Sequence, residues 1–252
     1  MSGLAGRQER VVQDPKIPDF RDDEERRLLA ELSLDVKLHP ADAGAICARG
    51  QAYLAIGRYD EALADLNRAV ELAPADPVVV NARGEIYRLM DRLDEALVDF
   101  DRALELYPEN VWAICNRGEA RKEMGRYDEA LADLNRGIEL AEGPDVWAVG
   151  SRGETYRLMG RLDEALADFD QAIELDPENA WAIGSRGQAY LAMGRLDEAL
   201  ADLNRAIELD PSDAEAIGSR GQTYRLLGRE DEALADLGRA TELDPGYKPS
   251  TD

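Results

Sequence analysis

The chain has 252 residues, with one histidine, two cysteines and a formal net charge of −23. Phosphate groups are bound by basic stripes, so this acidic composition leads us to expect no nucleic acid and no membrane among the partners. No apolar run reaches the length of a membrane span, and the polar N-terminus does not resemble a secretory leader. We therefore expect a cytoplasmic protein.

The first 42 residues divide into two segments of different character. Residues 1–20 are polar and show no periodicity, which predicts a flexible N-terminal arm. Residues 21–42 carry apolar residues at the spacing of one helix face, namely Leu28, Leu32, Val36 and Leu38. Pro40 stands 34 residues before Pro74, which is the repeat length found next. Residues 21–42 are therefore predicted to be a half-repeat whose helix caps the first full repeat.

From residue 43 onward one pattern recurs six times, over 43–76, 77–110, 111–144, 146–179, 180–213 and 214–247. Counting from the first residue of each copy, position 8 is always glycine, and successive glycines stand 34 or 35 residues apart. Apolar residues mark one helix face before a glycine-containing turn and a second helix face after it. Self-similarity at this period predicts a stacked array of helical hairpins, followed by a short tail at 248–252.

The pattern of the copies resembles the tetratricopeptide repeat, because Gly at 8, Tyr at 11, Gly at 15, Ala at 20 and 27 and Pro at 32 recur. The resemblance implies an all-α fold, a right-handed α-solenoid of six repeats with an N-terminal capping half-repeat. Four single-copy departures are Asp91, Arg121, Gly137 and Glu142. Three of them lie in the third copy, which also carries a one-residue insertion within 141–145, so we expect a local irregularity there.

The residues that usually carry chemistry are scarce in this sequence. His39 is the only histidine, and it stands next to a proline at a predicted helix end. Cys47 and Cys115 both occupy position 5, two repeats apart, which is too far for a disulfide, so we expect free thiols. Metal-ligand, phosphate-loop and nucleophile motifs are absent. We expect a non-enzymatic protein without metal or cofactor.

The resemblance further implies that the outer face of each first helix lines a concave groove that binds a peptide or helix of another protein. The candidate groove residues are Asn81, Glu85, Arg88, Trp112, Asn116, Glu119, Lys122, Trp147, Glu154, Arg157, Trp181, Gln188, Gln222 and Arg225.

Two questions about this groove stay open at the level of sequence. The three tryptophans either pack between repeats or recognise a partner directly. The alternative function is a self-associating module, or a regulatory fragment of a larger enzyme or sensor, that uses the uncovered C-terminal helix. A weak homodimer through the last repeat would follow from that alternative.

A charged pair on the core-facing side of the hairpin is the sharpest structural expectation. Position 7 is arginine and position 23 is aspartate in every copy, where a buried charge requires a partner. We predict a ladder of arginine–aspartate pairs, within a repeat or across to the next, that sets the register of the stack. Its members are Arg49, Asp65, Arg83, Asp99, Arg117, Asp133, Arg152, Asp168, Arg186, Asp202, Arg220 and Asp236.

Overall fold

The structure is a computed structural model that describes residues 23–248. Within that range the chain is all-α, with helices joined by short turns and no strand. The N-terminal arm expected at 1–20 lies outside the described residues. The helices are α1 Asp23–Leu38, α2 Ala43–Ala55, α3 Tyr59–Leu72, α4 Pro77–Leu89, α5 Leu93–Leu106, α6 Val111–Glu123, α7 Tyr127–Leu140, α8 Val146–Leu158, α9 Leu162–Leu175, α10 Ala180–Ala192, α11 Leu196–Leu209, α12 Ala214–Leu226 and α13 Glu230–Leu243.

The chain divides into two compact units, and the division falls at Gly143, inside the insertion noted above. The N-terminal unit contains α1–α7 and the C-terminal unit contains α8–α13. In each unit every repeat is an antiparallel hairpin of a 13-residue and a 14-residue helix. An aspartate or asparagine caps each first helix, as Asp42 does for α2 and Asn179 for α10.

Close contact between the two helices of a hairpin depends on the glycine at position 8. A Cβ atom added to Gly84 would stand 2.6 Å from the ring of Phe100, and one on Gly187 would stand 2.9 Å from Leu203. The bulky residue at position 24 therefore occupies the space that a side chain at position 8 would need. The turn at position 15 also favours glycine, since Gly194 has φ +72°, and Asp91 takes the same left-handed conformation at φ 58°.

All six arginines at position 7 make bidentate hydrogen bonds to the aspartate at position 23 of their own repeat. Arg83, for example, donates from Nε and Nη2 to the two carboxylate oxygens of Asp99 at 2.6 and 2.7 Å. The same geometry recurs in the pairs Arg49–Asp65, Arg117–Asp133, Arg152–Asp168, Arg186–Asp202 and Arg220–Asp236. The pairs thus join the first and second helices of one hairpin.

Four of these arginines also reach the preceding repeat, through an acceptor that the sequence reasoning missed. Nη1 donates to the asparagine or aspartate at position 25 of the previous second helix. The observed bonds are Arg83–Asn67, Arg117–Asp101, Arg186–Asp170 and Arg220–Asn204. One guanidinium therefore links three helices and fixes how consecutive hairpins stack.

The third repeat compensates for two of its departures locally. Arg121 stands where the other copies have tyrosine, and it adds a second cation to Asp133 at 2.6 Å. Gly137 stands where the others have alanine, and a Cβ there would lie 2.3 Å from Sγ of Cys115. The thiol of Cys115 therefore fills the space that the missing methyl group leaves.

The capping segment forms the predicted helix, α1, which packs on α2. Val36 is buried in the core of the N-terminal unit, whereas Leu28 and Leu38 are exposed. The helix therefore covers the first repeat mainly through one side chain. Neither cysteine forms a disulfide, both are buried, and burial raises the pKa of the Cys47 thiol to about 11.

Candidate partner-binding face

The outer surfaces of the first helices form one candidate binding face in each unit. In the N-terminal unit the helices α2, α4 and α6 contact one another in that order. In the C-terminal unit the helices α8, α10 and α12 do the same. Positions 2, 5, 6, 9, 12 and 13 of these helices point away from the hairpin core, so the candidate residues divide between two separate faces.

The three tryptophans at position 2 occupy different environments. Trp112 on α6 is 55% exposed, and Val78 at the same position of α4 is 60% exposed. Trp147 on α8 is 9% exposed. The N-terminal unit therefore displays an apolar pair at the start of two neighbouring first helices.

Trp181 packs between helices of the C-terminal unit. Its ring lies over Gly150 of α8, where a Cβ would approach within 2.5 Å, and it meets Phe169 of α9 edge-on with ring centroids 6.4 Å apart. The position equivalent to Gly150 in the N-terminal unit is Asn81, so α4 offers Trp112 no glycine to pack on.

Charged residues near the C-terminal ends of α4 and α6 form a cluster in the N-terminal unit. Arg88 donates to Glu123 at 2.7 Å, and Lys122 donates to Glu119 at 2.8 Å. Arg88 and Glu119 are buried, an uncommon state for charged side chains. Burial alone would lower the pKa of Arg88, but the carboxylates of Glu123, Glu119 and Glu85 outweigh it and keep that pKa raised. Burial also raises the pKa of Glu123, against the opposing effect of Arg88.

Two buried polar atoms of α4 have no hydrogen-bond partner: Oδ1 of Asn81 and Nε of Arg88. Buried polar groups in folded proteins are nearly always paired, so each such atom needs an explanation. Among the described residues the third atom of this kind is Nε of Arg121, which stands at position 11 on the hairpin side of α6 and not on the candidate face. Oδ1 of Asn81 and Nε of Arg88 are therefore the unpaired atoms of the candidate face.

The face of the C-terminal unit is more fully paired. Arg157 forms a two-bond ion pair with Glu154 at 2.7 Å on α8. Tyr247 lies over Gly218 of α12, and burial raises its pKa while a hydrogen bond with Gln222 opposes the shift. Gln188 is half-buried and Arg225 is exposed. The end of the chain thus covers part of this face.

Two residues of these faces were missed by sequence reasoning. Glu123 stands at position 13, and it is the only charged residue at that position among the six copies, a difference that could have drawn attention to it. Tyr247 stands at position 34, the last position of the sixth copy, where four of the other copies have the aspartate or asparagine that caps the next helix. Asn116 is buried rather than displayed on the face.

Residues 23–248 contain no group of three or more histidine, cysteine, aspartate or glutamate residues placed to hold a metal ion. No helix in that range is long and apolar enough to cross a membrane.

Stacked helical hairpins with an outward face on each first helix define the chain as a helical-repeat protein. Family models described as tetratricopeptide repeat match residues 43–76, 78–143, 115–180, 156–222 and 214–247. The chain belongs to the tetratricopeptide repeat family, which confirms the resemblance drawn from the sequence. A comparison with curated proteins gives no match.

Solved structures with the same fold match most of the chain. A chain of the APC/C hetero-tetramer Cut9–Hcn1 has a TM-score of 0.82 at 19% identity, over 89% of this chain and 44% of that one. A tetratricopeptide repeat protein from Parabacteroides merdae has a TM-score of 0.71 at 21% identity, over 89% of this chain and 88% of that one. YrrB, described as having an unusual peptide-binding site, has a TM-score of 0.53 at 24% identity, over 72% and 93%. At these identities the similarity shows the fold alone.

Proposed function

We propose that the chain is a non-enzymatic scaffold whose N-terminal unit binds a peptide or helix of another protein on the face formed by α2, α4 and α6. The observation that carries this proposal is the exposure of Trp112 beside Val78 on neighbouring first helices. Tryptophan is enriched among residues that dominate binding energy, and the same two helices carry a charged cluster near their C-terminal ends that can orient a partner.

Two observations support the non-enzymatic part of the proposal. His39 is exposed just after the end of α1, so it has the surroundings of a helix end rather than those of an enclosed active site. The charged cluster of α4 and α6 pairs its cations with its carboxylates, and no nucleophile stands among the residues that form it.

The two cysteines form no disulfide with each other, which fits a reducing compartment. The cytoplasm is therefore the proposed location.

The proteins of similar structures agree with a role in protein assembly. One belongs to a hetero-tetramer, another is described as having a peptide-binding site, and a third, PilW, is described as a type IV pilus biogenesis factor. Their partners are not carried over to this chain, whose own surface residues decide what it binds.

A selection of random peptides of about twelve residues on the full chain would test the proposal. We expect the selected peptides to bind the wild-type protein and to lose about tenfold or more in affinity on Trp112→Ala, with the circular dichroism spectrum unchanged. Trp181→Ala is not a suitable control, because it removes packing. Arg205→Ala, on the exposed side of α11, is the matched surface control. Peptides that ignore Trp112 would contradict the proposal.

A second candidate function is self-association through α13, and one observation favours it. Leu234 at position 21 is 65% exposed, whereas the equivalent Leu166 of α9 is buried beneath the repeat that follows it. In this second proposal Leu234 is the residue through which α13 contacts a second copy. Light scattering during size-exclusion chromatography should then show a dimer that Leu234→Glu abolishes. A monomer at all concentrations would rule this candidate out.

A further inference from the structure

The unpaired atoms of α4 point to the conformation of the partner. We infer that the face of the N-terminal unit binds an extended peptide rather than a helix, through one backbone N–H donated to Asn81 Oδ1 and one backbone carbonyl that accepts from Arg88 Nε. This inference rests on the proposed function and narrows it. Both atoms are buried without a hydrogen-bond partner, and Arg88 is only 8% exposed.

The spacing of Asn81 and Arg88 along the axis of α4 matches an extended chain. Asn81 and Arg88 are seven residues apart on α4, two helical turns, so they share one side of the helix. Seven residues of helix cover about 10.5 Å along its axis. An extended chain covers that distance with about three residues. A short segment lying along α4 therefore presents an N–H near one atom and a carbonyl near the other.

The chemistry of the two atoms excludes a helical partner for this role. Asn81 Oδ1 accepts a hydrogen bond and Arg88 Nε donates one, so the pair is complementary to the alternating donors and acceptors of a peptide backbone. A helix uses its own N–H and carbonyl groups internally, except at its ends. Only a chain without internal hydrogen bonds has a donor and an acceptor free at this separation.

The neighbouring residues define the rest of the partner. Val78 and Trp112 are exposed at the N-terminal end of the same face, so an apolar side chain of the peptide would lie there. Binding requires that the partner displace the atoms that cover Asn81 Oδ1 and Arg88 Nε in the free protein. It then replaces an unpaired polar atom with a hydrogen bond, which favours the complex.

The unpaired acceptor of Asn81 should also affect the stability of the free protein, which can be measured without a ligand. An unpaired buried acceptor destabilises the fold, so Asn81→Leu should raise the melting temperature. Asn67 of α3 provides a matched control, because it is also a half-buried asparagine inside a helix of the same unit, but it accepts from Arg83 at 3.2 Å. Asn67→Leu has the same gain in helix propensity and should lower the melting temperature.

Methylation of the peptide backbone tests which N–H donates to Asn81. Peptides of about twelve residues that depend on Trp112 would be selected on the full chain, and each of their backbone nitrogens would be methylated in turn. In the wild-type protein one N-methyl position should weaken binding about threefold to tenfold. In Asn81→Leu the unmethylated peptide should already bind weakly, and methylation at that position should have no further effect.

Three results would overturn the inference. The first is a melting temperature of Asn81→Leu that does not exceed that of the wild-type protein. The second is a peptide whose N-methyl positions are all insensitive to Asn81→Leu. The third is tighter binding when helix-favouring aminoisobutyrate replaces central residues of the peptide. Each of these leaves the proposed function standing if Trp112→Ala still abolishes binding, whereas the absence of any peptide dependent on Trp112 would overturn both.

Discussion

Arg117 donates a hydrogen bond from Nη1 to Asp101, a residue of the preceding repeat, at 2.7 Å. Its Nε and Nη2 atoms donate to the carboxylate of Asp133 in its own repeat. The guanidinium therefore fixes the position of one hairpin relative to the next. A planar fork with several fixed donors suits this task better than a lysine ammonium group.

The acceptor at position 25 is a neutral asparagine in some repeats and a charged aspartate in others. This difference predicts how much stability is lost when the aspartate at position 23 is removed. Asp99→Ala leaves the half-buried Arg83 with only the neutral Asn67, so we expect a loss of about 2 to 4 kcal/mol in the free energy of unfolding. Asp202→Ala leaves Arg186 paired with Asp170, and its loss should be about half as large. Urea unfolding measures both.

The double variant Arg83→Leu with Asp99→Ala is the control for this prediction. It removes both charges, so it should be more stable than Asp99→Ala alone. If the double variant is the less stable of the two, the unpaired charge is not the source of the loss.

Gly137 offers a test of packing in the third repeat. Gly137→Ala places a methyl group on Sγ of Cys115 and should lower the free energy of unfolding by about 1 to 2 kcal/mol. Adding Cys115→Ala should recover most of that loss. Gly238→Ala in α13 is the matched control, because nothing lies within 4 Å of its added Cβ, and it should stabilise the protein by about 0.5 to 1 kcal/mol. Equal effects at the two glycines would contradict the contact.

The Cys47 thiol is expected to be unreactive in the folded protein. Its pKa is raised from 9.0 to about 11, first by burial and then by Asp76 and Glu85, so little thiolate exists at pH 8. Labelling with a chromogenic disulfide at pH 8 should therefore be slow until urea is added. Because the folded pKa lies above the unfolded one, the stabilising effect of the neutral thiol is complete below pH 9 and is lost as the pH rises to about 11. Fast labelling of Cys47 without urea would contradict the burial.

Replacing Trp181 should lower the free energy of unfolding much more than replacing Trp112, because the two rings lie in different environments. Trp181→Ala removes the ring between Gly150 and Phe169 and should cost about 3 kcal/mol or more in the free energy of unfolding. Trp112→Ala should cost less than about 1 kcal/mol, since that ring is largely exposed. Thermal unfolding followed by circular dichroism makes the comparison, and equal costs would be evidence against it.

The capping helix can be tested with two substitutions of the same kind. Val36→Asp places a carboxylate in the core of the N-terminal unit and should lower the melting temperature by several degrees. Leu34→Asp, on the exposed side of α1, should leave it nearly unchanged. A similar melting temperature for both variants would mean that α1 does not cover the first repeat.

Sequence periodicity predicted the helices, the turn glycines and the family, because each of these follows from spacing along the chain. It also brought Arg83 and Asp99 together as a pair, since two core-facing charges of opposite sign have few alternatives. It did not predict that Trp181 packs while Trp112 is exposed. That outcome depends on whether the neighbouring helix carries glycine or asparagine at one position, and it is a property of two helices rather than of one.

The role of Tyr247 and the unpaired atoms of α4 were likewise beyond the pattern. Tyr247 stands at the last position of its copy, outside both helix faces, and whether an amide finds a partner depends on distances of a few tenths of an ångström. Position 25 was missed for another reason. Its asparagine or aspartate is polar in either case and resembles an ordinary solvent-facing residue until the arginine of the next repeat is placed beside it.

The acceptor at position 25 has a consequence for how the gene can change length. The first five copies end in a second helix that offers asparagine or aspartate there, whereas the sixth offers Gly238. Duplication of any of the first five copies supplies the following arginine with an acceptor, so the enlarged protein keeps its bridges. A copy inserted after the sixth would meet a glycine instead. Growth by duplication is therefore permitted inside the array and disfavoured beyond α13.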